Sequence, residues 1–156
     1  MGKGRKSLLG YLSLILFSMV LHSCSIPKII VFKDPLSAEE HNDLGVAYEK
    51  KGFIDLAEKE YKKAIKEKPD WDIPYFNLGN LYYKKGDYKK AIYFYKKAIQ
   101  LNPNNSDALN NMAYVYYLLG DYTKAYYLIK KAISKKVKKE YIQTMKEIEE
   151  KIYESD

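Results

Sequence analysis

The chain has 156 residues, enough for one domain and little more. Hydrophobic residues make up 47%, charged residues 30% and aromatics 15%, a composition that buries too much apolar surface to stay disordered. One cysteine excludes an internal disulfide and a cysteine-based zinc site, and a net charge of +7 leaves anionic partners open until that charge is located.

Residues 1–23 read as an address and not as part of the fold. Lys3, Arg5 and Lys6 form a positive start with no acid nearby, and Leu8 to Leu21 is a run of 14 residues without a charge. Crossing a bilayer as a helix takes about 20 apolar residues. The shorter run fits the apolar core of a secretory signal peptide. It ends in Leu21-His22-Ser23-Cys24, which resembles the lipobox of bacterial lipoproteins. That resemblance implies diacylglycerol on the Cys24 sulfur, cleavage before Cys24, and acylation of the new N-terminus by a fatty acid such as palmitate. His22 departs from the pattern, which has a small residue there. The alternative is an uncleaved anchor helix holding a scaffold that faces the cytoplasm. Ser25 is not Asp, so in a two-membrane bacterium the lipoprotein sorting rule implies the periplasmic face of the outer membrane. Without residues 1–23 the charge falls from +7 to +4, and the remaining cations recur as separated pairs, so nucleic acid is not an expected partner.

Residues 24–37 form the lipidated cysteine and a tether with Pro27 and Pro35. The apolar run Ile29-Ile30-Val31-Phe32 within it is either a segment that packs on the domain or a stiff spacer.

From residue 38 the sequence repeats every 34 residues. Gly45, Gly79 and Ala113 align. So do Tyr48, Tyr82 and Tyr116; Gly52, Gly86 and Gly120; Ala57, Ala91 and Ala125; Tyr61, Tyr95 and Ile129; and Ala64, Ala98 and Ala132. Pro69 and Pro103 close the first two units, and Val137 holds the third place. This pattern resembles the tetratricopeptide repeat and implies an all-α helical-hairpin solenoid. Its units are residues 38–71, 72–105 and 106–139, followed by a capping helix over 140–156. Ser37-Ala38-Glu39-Glu40 has the form of a capping box. The glycines at 52, 86 and 120 suit helix ends that need positive φ. The small residues at 45, 79 and 113 let paired helices approach, and the tyrosine columns fill the space between them. Tyr141, Met145, Ile148 and Ile152 give the last helix one apolar face to cover the end of the stack.

The sequence offers no catalytic constellation. Apart from Cys24, the mature chain has only His41 as a candidate base or ligand, and that residue falls in an early helical column where it is either packed or partly exposed. No metal-ligand cluster and no phosphate-cradling loop is present, so neither a cofactor nor a small-molecule substrate is expected.

The remaining candidate is a surface. The resemblance implies that the first helix of each unit lines a concave groove for a peptide or a partner helix. Its inward places carry over to Asn42, Asp43, Val46 and Glu49, then Phe76, Asn77, Asn80 and Tyr83, then Asn110, Asn111, Tyr114 and Tyr117. Phe76, Tyr83 and Tyr117 are the expected aromatic anchors. Asn77 and Asn111 either face a ligand or tie turns inside the stack. Members of the family that capture chaperone tails clamp a C-terminal carboxylate with cations. Here Asn77 matches one clamp place, but Asn42, Val46, Asp107 and Asn111 stand at the others and supply no positive charge. The expected function is a non-catalytic adaptor or assembly scaffold in the cell envelope. An accessory subunit of a wall- or cofactor-maturation enzyme is the further alternative.

Overall fold

The computed structural model describes residues 34–155, so residues 1–33, including Cys24 and most of the tether, lie outside it. The described residues form seven α-helices: α1 (Ala38–Lys50), α2 (Ile54–Glu67), α3 (Asp72–Lys84), α4 (Tyr88–Leu101), α5 (Ser106–Leu118), α6 (Tyr122–Lys135) and α7 (Lys139–Ser155). None of them is long and apolar enough to cross a membrane.

Local chemistry fixes the helix ends. Ser37 caps α1 with its side chain on the Glu40 amide at 3.2 Å, while the Glu40 carboxylate accepts from the Ser37 amide at 2.8 Å. This reciprocal pair is the capping box read from the sequence. Asp87, Asn105 and Asp121 cap α4, α5 and α6 with the first of these two bonds only, each side chain accepting from the amide three residues on. Each first helix of a pair stops at a glycine with positive φ: 80° at Gly52, 74° at Gly86 and 76° at Gly120. The next residue turns its amide back to the carbonyl five positions earlier, as Phe53 does to Tyr48 at 2.9 Å. These bonds satisfy carbonyls that a helix end leaves open, and a side chain at the glycine would strain the turn.

Each hairpin is held by one close approach. A β-carbon on Gly45 would lie 2.6 Å from the Tyr61 ring, and one on Gly79 would collide with the Tyr95 ring. Both tyrosines are fully buried. In the third hairpin the same columns hold Ala113 and Ile129, both buried. A methyl group has been added on one side and the ring replaced by a smaller side chain on the other. Interiors packed to crystal-like density require such compensation. Ala57, Ala91 and Ala125 are fully buried on the second helices, as close pairing demands.

Between hairpins the contacts are partly polar. The Tyr82 hydroxyl donates to Glu58 at 2.7 Å across the first junction, while Asn102 at the end of α4 and Asn105 at the cap of α5 both donate to Asp72 at the start of α3, at 3.0 and 2.8 Å, closing the second hairpin where the third begins. At the far end α7 buries Tyr141 and Ile148, and the Tyr141 hydroxyl reaches Asp107 at 2.7 Å. The apolar face of α7 thus covers the last hairpin, while Tyr153 near its end stays exposed.

His41 is 1% exposed, and its Nδ1 lies 2.6 Å from Glu60 Oε2. The partly exposed alternative is therefore excluded. The pair occupies columns that hold Tyr75 and Phe94 in the second hairpin and Leu109 and Leu128 in the third. Two polar departures in one unit satisfy each other, as buried polar groups must.

Candidate functional site: the inner face of the first helices

The two helix layers differ in curvature. Successive first helices touch, α1 with α3 and α3 with α5, whereas α2, α4 and α6 have no such contact with one another. The first helices therefore form the shorter, inner layer, and the second helices splay on the outer side.

Asparagines stitch the inner layer. Asn77 Nδ2 donates to Asn42 Oδ1 at 2.8 Å, linking α3 to α1. Asn111 Nδ2 donates to Asn80 Oδ1 at 2.8 Å, linking α5 to α3. Asn80 Oδ1 also accepts from the Tyr95 hydroxyl at 2.8 Å. Tyr95 thus passes its ring beneath Gly79 and delivers its hydroxyl to the inner face. Tyr61 does likewise beneath Gly45, donating to Glu49 at 2.7 Å. Burial and the Glu49 carboxylate push the Tyr61 hydroxyl well above the usual phenol range. Burial is also the main cause of the rise at Tyr95. Both hydroxyls stay protonated as donors. Glu49 is further tied to Lys84 at 2.7 Å, so this carboxylate is neutralised.

The other half of the face is aromatic. Tyr88, Tyr83, Tyr114, Tyr117 and Tyr122 form a continuous row with ring centroids 5.7–6.1 Å apart. Such offset and edge-on pairs are individually favourable and hold the rings in defined orientations. Beside the row is a cavity of about 130 Å³, lined by Tyr83, Tyr95, Asn110, Asn111 and Tyr114. Asn110 donates to Asn111 at 3.1 Å, but its own Oδ1 is buried with no hydrogen-bond partner among the described residues. Burial, with Tyr83 and Glu147 nearby, raises the Tyr114 hydroxyl, so it too is a neutral donor at physiological pH.

Several expected residues fall together here. Tyr83, Tyr114 and Tyr117 share the row, and Asn80, Asn110 and Asn111 lie along its edge. Others are placed differently. Asn42 is buried at 6% exposure, with its oxygen taken by Asn77, and Val46 packs half-buried against the core. Phe76 lies 6.2 Å from Tyr95 and outside the row, so it is not the neighbour of Tyr83 and Tyr117 that the sequence spacing predicts. Tyr114 stands between those two. Asn77 and Asn111 tie helix to helix and cap no turn. The sequence reading missed Tyr95, Tyr88 and Tyr122, which lie on second helices. The signal available for Tyr95 was its place opposite Gly79, which leaves its hydroxyl nowhere to go but through to the inner face. Among the described residues no three His, Cys, Asp or Glu side chains converge to hold a metal ion.

Residues 41–70 match a family model described as a tetratricopeptide repeat, and residues 79–120 match one described as a TPR repeat. The fold is the tetratricopeptide solenoid. Among solved tetratricopeptide structures, the first such domain of Spaghetti (RPAP3), bound to the HSP90 peptide SRMEEVD, superposes with a TM-score of 0.72 at 18% identity, covering 79% of this chain and 98% of that one. The corresponding domain of Sgt2 from Aspergillus fumigatus gives 0.72 at 20% identity over 76% of this chain and 80% of the other. The TPR2B domain of yeast Sti1, described as a complex with pHsp70, gives 0.69 at 25% identity over 72% of this chain and 96% of the other. No curated protein sequence matches the chain.

Proposed function

We propose that the chain is a non-catalytic adaptor whose tetratricopeptide groove holds a peptide or helix of a protein partner, and that it is held at a membrane of the bacterial cell envelope by lipid on Cys24. The observation that carries the groove reading is the tyrosine row beside the Asn-edged cavity. Tyrosine presents rigid apolar area with a donor at its tip and loses little entropy on binding, which is the chemistry of interface anchors. The carboxamides along the edge can donate to and accept from a ligand's backbone. Of the tetratricopeptide structures that superpose on this one, one is described as bound to an HSP90 peptide and another as a complex with pHsp70, and both support a peptide or protein as the class of partner.

The inner face differs from a carboxylate clamp. Asn42, Val46, Asp107 and Asn111 bring no cation to it, and Lys84 is already paired with Glu49. An acidic C-terminal tail would lie there without a charge-assisted partner. The groove reading therefore favours an internal segment of the partner, bound through aromatic contact and backbone hydrogen bonds. For the anchor, the support is the short apolar run ending at the only cysteine of the chain. In a two-membrane bacterium, Ser25 after the lipidated cysteine supports placement on the periplasmic face of the outer membrane by the lipoprotein sorting rule.

The groove is tested by placing a photo-crosslinking amino acid at Tyr114 and identifying what it captures in native membranes. Tyr83→Ala with Tyr117→Ala should abolish that capture while the helical signal is retained. Lys62→Ala with Lys96→Ala on the second helices should leave it intact. Capture that survives the tyrosine changes and is lost with the lysine changes would move the docking site to the outer layer.

A further inference from the structure

The charge of this solenoid is sorted by helix layer. The first helices α1, α3 and α5 together carry six acids and two lysines, whereas α4 and α6 carry eight lysines and no acid. In α2 the cations are offset locally, with Lys62 on Glu58 at 2.7 Å and Lys63 on Glu60 at 3.2 Å. In α4 and α6 only Lys90 and Lys124 are paired, each with the aspartate that caps its own helix. Lys89, Lys96, Lys97, Lys130, Lys131 and Lys135 form no ion pair with any described residue. Two large aromatics stand among them in one column: Tyr93 is 55% exposed and Tyr127 is 67% exposed. Residues 89, 93, 96 and 97 recur at three- and four-residue spacing and so share one face of α4, and the same holds for 123, 127, 130 and 131 on α6.

We infer that this outer face of α4 and α6 docks on an anionic lipid surface, with Tyr93 and Tyr127 seated at the headgroup level and the groove turned away from the bilayer. The kind of cation favours lipid over other anions. Beyond Arg5 the chain has no arginine, so every charge on this face is a lysine. Lysine is a flexible point charge without the planar fork that reads carboxylates or nucleic-acid phosphates in fixed geometry. Dispersed ammonium groups suit a fluid layer of anionic headgroups, and amphipathic tyrosine rings are enriched where such a layer meets water. The inference does not depend on lipidation of Cys24 or on what the groove binds, since it rests on a different face.

The test uses the full chain in vesicles of phosphatidylethanolamine, with and without phosphatidylglycerol. The only tryptophan is moved by Trp71→Phe with Tyr127→Trp, and contact is read by quenching from brominated lipid. Quenching is expected with phosphatidylglycerol and not without it, and it should fade as salt is raised. Each lysine near an anionic surface multiplies partitioning about fivefold. Lys89→Glu, Lys96→Glu, Lys97→Glu and Lys130→Glu together should therefore lower the docked population by at least about a hundredfold. The corresponding four Gln substitutions, which keep helix propensity without reversing charge, should give an intermediate loss with an unchanged circular dichroism spectrum. Equal quenching in both vesicle types, quenching that survives the Glu changes, or none with phosphatidylglycerol would overturn the inference. Binding of this face to duplex DNA or polyglutamate without such quenching would overturn it as well.

Discussion

Replacing Gly79 by alanine sets a methyl group against the ring of Tyr95, within the distance that real β-carbons avoid. The ring has no easy escape. It is fully buried beneath α3, and its hydroxyl is fixed on Asn80. Overpacking of a dense interior costs about 1–3 kcal/mol, and this site belongs at the upper end because the atoms met are ring atoms near the root of the side chain. Alanine regains about 1 kcal/mol of helix propensity over glycine. A net loss of about 2 kcal/mol should remain, lowering the midpoint of thermal unfolding by roughly 6–10 °C in a domain of this size. The third hairpin shows the remedy, since it pairs Ala113 with Ile129. Tyr95→Ile alone should also destabilise, through a void and the lost hydroxyl bond to Asn80. Combined with Gly79→Ala it should do less harm than the two changes summed, by at least about 1 kcal/mol of coupling. Urea unfolding of the wild type, both single variants and the double variant closes the cycle. Additive losses, or a Gly79→Ala variant as stable as wild type, would refute the reasoning about this contact.

Ala91 is fully buried on the paired helix, so Ala91→Leu should lower stability by about 1–3 kcal/mol, read as a single cooperative shift of the melt. At Glu58 burial opposes ionisation, but hydrogen bonds from Lys62, Tyr82 and Lys85 outweigh it and hold the carboxyl at about 2, below the usual 4.5. A carboxyl depressed in the folded state stabilises fully above its unfolded value, so this contribution should be lost as pH falls from 4.5 towards 2. Glu58→Gln should flatten that part of the acid-unfolding curve, and an unaltered curve would show that the network contributes nothing. Cys24→Ala should leave an unprocessed precursor without lipid, visible by gel mobility and intact mass. Normal processing of that variant would remove the anchor from the proposal.

The fold was legible because its determinants are backbone terms repeated at a fixed interval. A glycine that must take positive φ and a glycine that must admit a ring each recur at 34 residues, and so does a fully buried alanine on the second helix. On α3 and α5 the same interval put Tyr83, Tyr114 and Tyr117 in one row, but on α1 Asn42 and Val46 are turned into the packing. The pairing across the inner face was not legible. Asn77 meets Asn42 and Asn111 meets Asn80 at separations of 35 and 31 residues, which are set by how successive hairpins are stacked. A search at the repeat length passes over both. The position of Phe76 failed similarly: helical spacing gave its face, but Phe76 lies two turns before Tyr83 and its ring meets Tyr95 instead of the row. The His41–Glu60 pair could have been found, since each residue breaks an otherwise apolar column of its repeat.

The polar bonds between hairpins also fix the order in which near-identical units stack. Glu58 holds Tyr82, but one unit later the equivalent places are Ile92 and Tyr116, which cannot make that bond. Asn42 holds Asn77, and the equivalents one unit later are Phe76 and Asn111. A chain whose units slipped by one hairpin would keep most of its apolar packing and strand these side chains. Repeats similar enough to stack interchangeably are prone to such errors, and a mismatched polar group at the junction penalises the wrong arrangement more than it favours the right one. These junction residues therefore act as keys that let three similar hairpins assemble in only one sequence.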